Sequence, residues 1–444
     1  IMSTEEEHCF PSSGSDQANS FTSNVTDRTS SARYGENERV DGELGHSIHH
    51  RRCDSEWSAI RAAENLSPER KLGLEDLKVI HHLGSGELGR VYLCQLKDCE
   101  TANFAMKVVD RGTEKKAEQA EMEGYILSLL DHPFLPTLYT RFDFSHYTCF
   151  LIDYCSGGDL HSFLHQQPAH RLPPHAVRFY AAEVLVALEY LHANGIIYRD
   201  LKPENILLRE DGHVMLSDFD LCFISDVTPS LRFLSSTVSI SSPSCFSLRE
   251  SKRDEIVAEF YAEPTEAHSI SCVGTHEYLS PELLSGNGYG SGIDWWAFGI
   301  LLYELLLGTT PFKGATKEVT VRNIASCRPA KLPSDLPDDA KDLIKSLLVK
   351  DPIRRLGHVA GSTNIKCHRF FDGINWALIK NYSPPAVDSC GLVVGKQGKS
   401  RHTKWQALGS FTTKRELPRI GNENRNQFRY KIRKEKTPLS STSS

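Results

Sequence analysis

The run Tyr198–Arg199–Asp200–Leu201–Lys202–Pro203–Glu204–Asn205, with Asp218–Phe219–Asp220 arriving thirteen residues beyond Asn205, constrains this chain more than any other stretch. It sets a carboxylate, an ammonium and an amide on one short loop, and returns a second carboxylate after the strands that follow. Phosphoryl transfer from ATP calls for such a set. Asp200 can orient an attacking hydroxyl, Lys202 can neutralise the migrating group, and Asn205 and Asp218 offer hard oxygen ligands to Mg²⁺.

Upstream, Gly84–Ser85–Gly86–Glu87–Leu88–Gly89–Arg90–Val91 lies between apolar runs at 77–83 and 91–96. Glycines there let a hairpin backbone close over triphosphate oxygens without Cβ clashes, so Leu83 to Val91 are candidate ATP contacts. A dinucleotide-binding turn shares the first three glycines but should open a helix. Here Arg90–Val91–Tyr92–Leu93–Cys94 reads as a second strand. Lys107 follows in the strand Phe104–Ala105–Met106–Lys107–Val108–Val109. Its distance from the glycine loop and the helical stretch behind it favour a phosphate contact over a solvated lysine. Glu123 is its expected partner; Glu121, two positions away on another helix face, competes.

In these motifs and their order the chain resembles the AGC group of Ser/Thr protein kinases, in the plant branch that holds PINOID, the WAG kinases and the phototropins. Asp218–Phe219–Asp220 in place of Asp–Phe–Gly marks that branch, as does a long insertion before Val273–Gly274–Thr275–His276–Glu277–Tyr278. The run from Arg209 to Phe223 is most similar to the WAG type, and the resemblance spans about residues 75–385.

The resemblance implies an α+β, two-lobed protein-kinase fold over 77–371, with a β-rich small lobe at 77–153, a helical large lobe at 157–371, and the insertion at 224–268. It implies ATP and Mg²⁺ as cofactors. Adenine would sit between Val91, Ala105 and Leu207, with hydrogen bonds from the backbone of Asp153 to Cys155. Asp159 would meet the ribose or a substrate arginine, and Thr275 would bond near Asp200 and Lys202. Leu127, Leu138, Tyr198 and Phe219 would stack into a column between the lobes. Asp294 would hold the catalytic-loop backbone, and Glu282 would pair with Arg355. Asp159, Glu204 and Glu304 match positions that select arginines ahead of the target Ser or Thr, since guanidinium forks bind carboxylates in pairs.

Further expectations rest on the same likeness. Phosphate on Ser271, or more weakly Ser269, would pair with Arg199 and order the loop, with a phosphoinositide-dependent kinase as donor. Auxin-efflux carriers would be the substrates, and auxin transport and growth the process. Asp220, where glycine is usual, leaves a catalytically silent nucleotide-binding scaffold as the alternative. Against it, every group that would contact phosphate or metal is in place.

Composition sets the outer limits. With 444 residues and 39% hydrophobic content, the chain can bury a two-lobed core and still carry extensions. No apolar run approaches the roughly 20 residues that span a bilayer. Twelve cysteines without a CxxC pair suit a reducing, cytoplasmic setting and argue against a zinc or disulfide framework. Residues 1–72 read as a disordered extension, the serine-rich insertion as a mobile one, and 372–444 as a mostly disordered tail. From 391 to 436 the tail holds thirteen Lys/Arg against three Glu, a net of +10, with Trp405, Phe411, Phe428 and Tyr430 interleaved. That pattern suits anionic lipid at the plasma membrane or, through 429–436, nuclear import. The insertion, with four Lys/Arg and more acids, is a poor membrane anchor. No nucleic-acid partner is expected. The final residues carry no Phe-x-x-Phe, so an upstream kinase is not expected to dock that way.

Overall fold

Five strands between Leu77 and Asp153 close into one antiparallel sheet. The computed structural model describes residues 51, 53–66, 71–86, 88–97, 99–227, 230–239, 252–264, 274–286, 288–326 and 328–385. Strands β1 (Leu77–Ser85), β2 (Gly89–Leu96), β3 (Cys99–Asp110), β4 (Leu138–Phe144) and β5 (Tyr147–Asp153) lie in the order β1-β2-β3-β5-β4. Val91 pairs with Lys107 and Leu93 with Ala105. Cross-strand partners share a face and residues two apart share it too, so Val91, Ala105 and Lys107 point the same way. Helix α2 (Glu114–Leu129) follows, its first turn capped by the Thr113 hydroxyl, which accepts from Lys116 N.

The larger lobe is built on helices. Helix α3 is Leu160–His165; α4 (Pro174–Ala193) starts with proline in its first turn, and Gly195, at φ +74, ends it. Helices α5 (Pro281–Ser285), α6 (Gly292–Leu307), α7 (Lys317–Ser326), α8 (Asp338–Leu347) and α9 (Gly361–Lys366) complete it. Along α6, Trp295, Trp296, Phe298, Ile300 and Leu301 are wholly buried, each contributing roughly 2–3 kcal/mol of apolar burial. This all-round burial makes α6 the axis against which the catalytic loop is held. That loop is framed by short pairs: β6 (Ile196–Ile197) with β9 (Phe223–Ile224), and β7 (Ile206–Leu208) with β8 (Val214–Leu216). Among the described residues, no helix is long and apolar enough to cross a membrane.

Two expectations about the segments around the domain are corrected. The extension read as disordered over 1–72 contains α1 (Ser55–Leu66). Ala59 and Ile60 are buried on the small lobe, Trp57 and Ala63 pack beside them, and Trp57 meets Tyr139 at 5.2 Å between ring centroids. The helical spacing of these few apolar residues is what the polar composition concealed. Second, the insertion at 224–268 includes β10 (Ser230–Ser239) paired antiparallel with β11 (Lys252–Tyr261), from Ser230↔Tyr261 to Ser239↔Lys252. Backbone pairing satisfies both segments, despite the serines of β10. The tail, expected to be mostly disordered from 372, is ordered in its first residues. Trp376–Asn381 forms a 3₁₀ turn, Ile379 is buried, and the Trp376 ring lies 5.4 Å from that of Phe371.

Candidate active site

Two clusters of side chains make the site, the first reaching across the lobes through Asp218. In the small lobe Lys107 Nζ lies 2.5 Å from Glu123 Oε1 and 2.7 Å from Asp218 Oδ1. Burial opposes the lysine charge, but Glu123 and then Asp218 outweigh it and raise its pKa, so the ammonium is firmly kept. Glu121, the competing partner, instead forks onto Arg141 at the sheet surface.

In the large lobe Asp200 is held on both oxygens. Lys202 Nζ lies 2.7 Å and Asn205 Nδ2 2.9 Å from its Oδ2; Thr275 donates to Oδ1 through N and Oγ1, each at 3.3 Å. Lys202 also donates to Thr275 Oγ1 at 3.0 Å, so the expected Asp200–Lys202–Thr275 grouping is present. Asp294, in the first turn of α6, accepts the amides of Tyr198 and Arg199 at 2.8 Å each. This grip lets Arg199 hold φ +67, a region few side chains adopt. Tyr198 and Phe219 are fully buried with ring centroids 5.5 Å apart, and Leu127 is buried on α2. Leu138 is half-buried.

Asp220 sits between the clusters. Among the described residues, Ser145, Ala169, His170, Arg199 and Asp218 are the non-glycine positions with positive φ. Asp220 is not one of them, so nothing in its backbone requires glycine. Burial first, then the charge of Asp218, pushes its carboxyl up to about 7.

The glycine loop separates into two roles. A Cβ at Gly89 would fall 2.1 Å from the Val108 carbonyl oxygen, so that glycine serves the close approach of β2 to β3. A Cβ at Gly84 or Gly86 would meet nothing within 4 Å. Their smallness leaves space above the sheet, where a triphosphate needs it. Leu83 is exposed, Ser85 bonds with His82 at 2.9 Å, and Glu87 lies outside the described residues. Leu88 is buried, while Arg90 is exposed. Beneath the sheet, Leu207 pairs with Met215, and Cys155 Sγ lies 3.7 Å from Met215 Sδ.

The residues fit a nucleotide with a divalent cation. Asn205 spends its amide hydrogens on Asp200, leaving its carbonyl oxygen as an acceptor, and Lys107 occupies one oxygen of Asp218. The bound metal would supply charge neutralisation at the phosphates. Asp200 would orient a hydroxyl and take its proton, Lys202 would offset charge on the transferred group, and Lys107 would hold the phosphate chain.

The proposed substrate carboxylates divide. Asp159 caps α3, accepting from Ser162 N at 2.7 Å, so it is committed locally. Glu204 is exposed near His161, and Glu304 accepts from the Tyr278 hydroxyl. Burial raises the pKa of Glu304, and the charges of Glu204 and Glu277 add to the effect. Glu277 was missed at the sequence level, although it stands in the quoted Gly274–Tyr278 motif. Glu282 and Arg355 form the expected fork, at 2.6 and 2.9 Å. Ser269 and Ser271 lie outside the described residues. Arg199, their expected partner, turns instead to the carbonyls of Leu221 and Cys222 and to the Tyr289 hydroxyl.

Residues 77–247 and 257–371 match the protein kinase domain. The chain belongs to the protein kinase family. It is 57% identical to the Ser/Thr-protein kinase WAG2 of Arabidopsis thaliana, over 88% of this chain and 87% of that one. It is 52% identical to WAG1 of the same plant, over 93% and 96% of the two chains. Protein kinase PINOID of rice shares 47% identity over 80% and 78%. The kinase is therefore a Ser/Thr protein kinase of the plant AGC group, WAG type, and the expected two-lobed fold is borne out. ATP and a divalent metal ion follow as general requirements of the family.

Proposed function

We propose that this kinase uses Mg·ATP to phosphorylate serine or threonine preceded by arginine or lysine, with auxin-efflux carriers among its substrates and auxin transport and growth as the process. What supports the sequence preference is Glu204, exposed beside His161, together with Glu304 on the same lobe. Carboxylates gain from a cation, and a guanidinium can satisfy two at once. Asn205 and Asp218, both oxygen donors, favour Mg²⁺ over softer metals. The carrier assignment rests on the likeness to the WAG kinases and PINOID.

An upstream phosphoinositide-dependent kinase acting on Ser271 belongs to the same proposal, as does a cytoplasmic enzyme with pools at the plasma membrane or in the nucleus. The +10 segment at 391–436, outside the described residues, would supply the lipid contact or the import signal. The test is a peptide array followed by the cytoplasmic loops of auxin-efflux carriers, with Asp200→Asn as control. Strong phosphorylation after arginine, weakened by Glu204→Gln, is expected. Indifference to arginine at the two or three preceding positions would reject the preference, and unmodified carrier loops would reject the substrate.

A further inference from the structure

Glu263, His192 and Asp294 form a buried chain that neither phosphate nor metal contact requires. His192 lies in the last turn of α4, wholly buried. Its Nδ1 is 2.9 Å from Glu263 Oε2 and its Nε2 is 2.8 Å from Asp294 Oδ2. With a carboxylate on each nitrogen, both ring positions donate only when the ring is cationic. Burial would remove that charge, but Glu263 and then Asp294 overcome it and hold the ring at about 10.

Each end of the chain is anchored. Asp294 shares Oδ2 between His192 and the Tyr198 amide and gives Oδ1 to the Arg199 amide. Glu263 sits two residues past β11, with its other oxygen accepting Ser362 N at 3.3 Å. The next residue is fixed as well, because Pro264 O accepts Ser291 N at 2.9 Å. The returning strand of the insertion thus ends in a carboxylate that reaches the catalytic loop through two side chains.

We propose that Glu263 is a positioning residue for phosphoryl transfer: through His192 it orients Asp294, and through Asp294 the backbone that carries Asp200. Without it the imidazole can donate to Asp294 but has nothing to hold its other side. Asp294 then grips two amides from a less fixed position. The loop at Arg199, at φ +67, is held by the bond from its amide to Asp294.

The full-length kinase carries the test. Glu263→Gln keeps the size and an acceptor but removes the charge. Expected is a fall of about tenfold in kcat per nucleotide-binding site, with KM for ATP and peptide nearly unchanged, as for an interaction made in the transition state. Hydrogen exchange at the Tyr198 and Arg199 amides should accelerate in the same variant. Replacing 230–261 by a short turn while keeping Glu263 should retain kcat, which separates this residue from the rest of the insertion. An unchanged kcat per site in E263Q overturns the proposal, as does a loss confined to the number of binding sites. Should E263Q not be recovered folded, Glu263→Asp decides by the same readouts. If neither variant folds, Glu263 is a structural residue and the positioning role falls.

Discussion

Arg51 donates to Asp153 across 2.8 Å, tying the chain ahead of the catalytic domain to the strand that ends where the lobes connect. Asp153 is 6% exposed and also accepts from Tyr139 Oη and Thr137 N, so Arg51 is its cation. Removing one partner of a buried pair leaves the other charged and uncompensated. Arg51→Ala should therefore destabilise the kinase by on the order of 3 kcal/mol, read as a lower Tm, with Asp153→Asn relieving part of the loss. A melt within about a degree of wild type would show that the segment is dispensable.

The glycine loop offers a contrast between neighbours. Gly89→Ala drives a methyl into the Val108 carbonyl, so strands β2 and β3 must part and Tm must fall. Gly86→Ala meets no atom in the fold; it should melt like wild type yet raise the KM for ATP several-fold, through crowding of phosphate. Calorimetry and steady-state kinetics on the pair check both halves.

Catalysis should collapse when the Asp200 grouping is altered. Asp200→Asn keeps the shape but loses the proton acceptor, and kcat should drop by about 10²–10⁴-fold with nucleotide affinity kept. Thr275→Val removes the hydroxyl that donates to Asp200 and accepts from Lys202, and should cost less, about tenfold. ATP-analogue binding measured beside kcat separates lost chemistry from lost fold.

Stability should also record the charge on His192. Its folded value of about 10 exceeds the ordinary 6.5, so the native state binds this proton more tightly than the unfolded chain. That contribution is fully present below about 6.5, fades as pH rises toward 10, and is gone above it. The groups facing the ring are Glu263, Asp294 and the edge-on Trp295. Urea melts from pH 6 to 10 should show a decline, on the order of a few kcal/mol, that His192→Gln lacks. Parallel curves for the two proteins would refute it.

Much of the site was legible because phosphoryl transfer dictates residue types at fixed spacings. Lys107, Asp200, Lys202, Asn205 and Asp218 were read from such spacings, and Thr275 from the family likeness. Glu123 was preferred with Glu121 left competing, and Lys107 pairs with Glu123. Contacts made by residues far apart in sequence were not legible. Nothing near Glu263 signals that it meets a histidine 71 positions earlier, or near Arg51 that it meets Asp153, 102 positions later. The boundaries erred for a related reason: α1 and β10–β11 draw their order from partners, and polar composition reports only the intrinsic tendency. Arg199, read as a phosphate receptor from the family likeness, donates to the carbonyls of Leu221 and Cys222, a pair of contacts that sequence spacing does not announce.

Because Ser239 and Lys252 face each other across β10 and β11, the peptide joining them leaves and re-enters at one spot. Lengthening such a tether adds only about 0.6 kcal/mol per doubling in closure entropy. Guest sequences, from an epitope to a fluorescent reporter, can accordingly be spliced there at small thermodynamic penalty, making the hairpin tip a practical handle for engineering this enzyme.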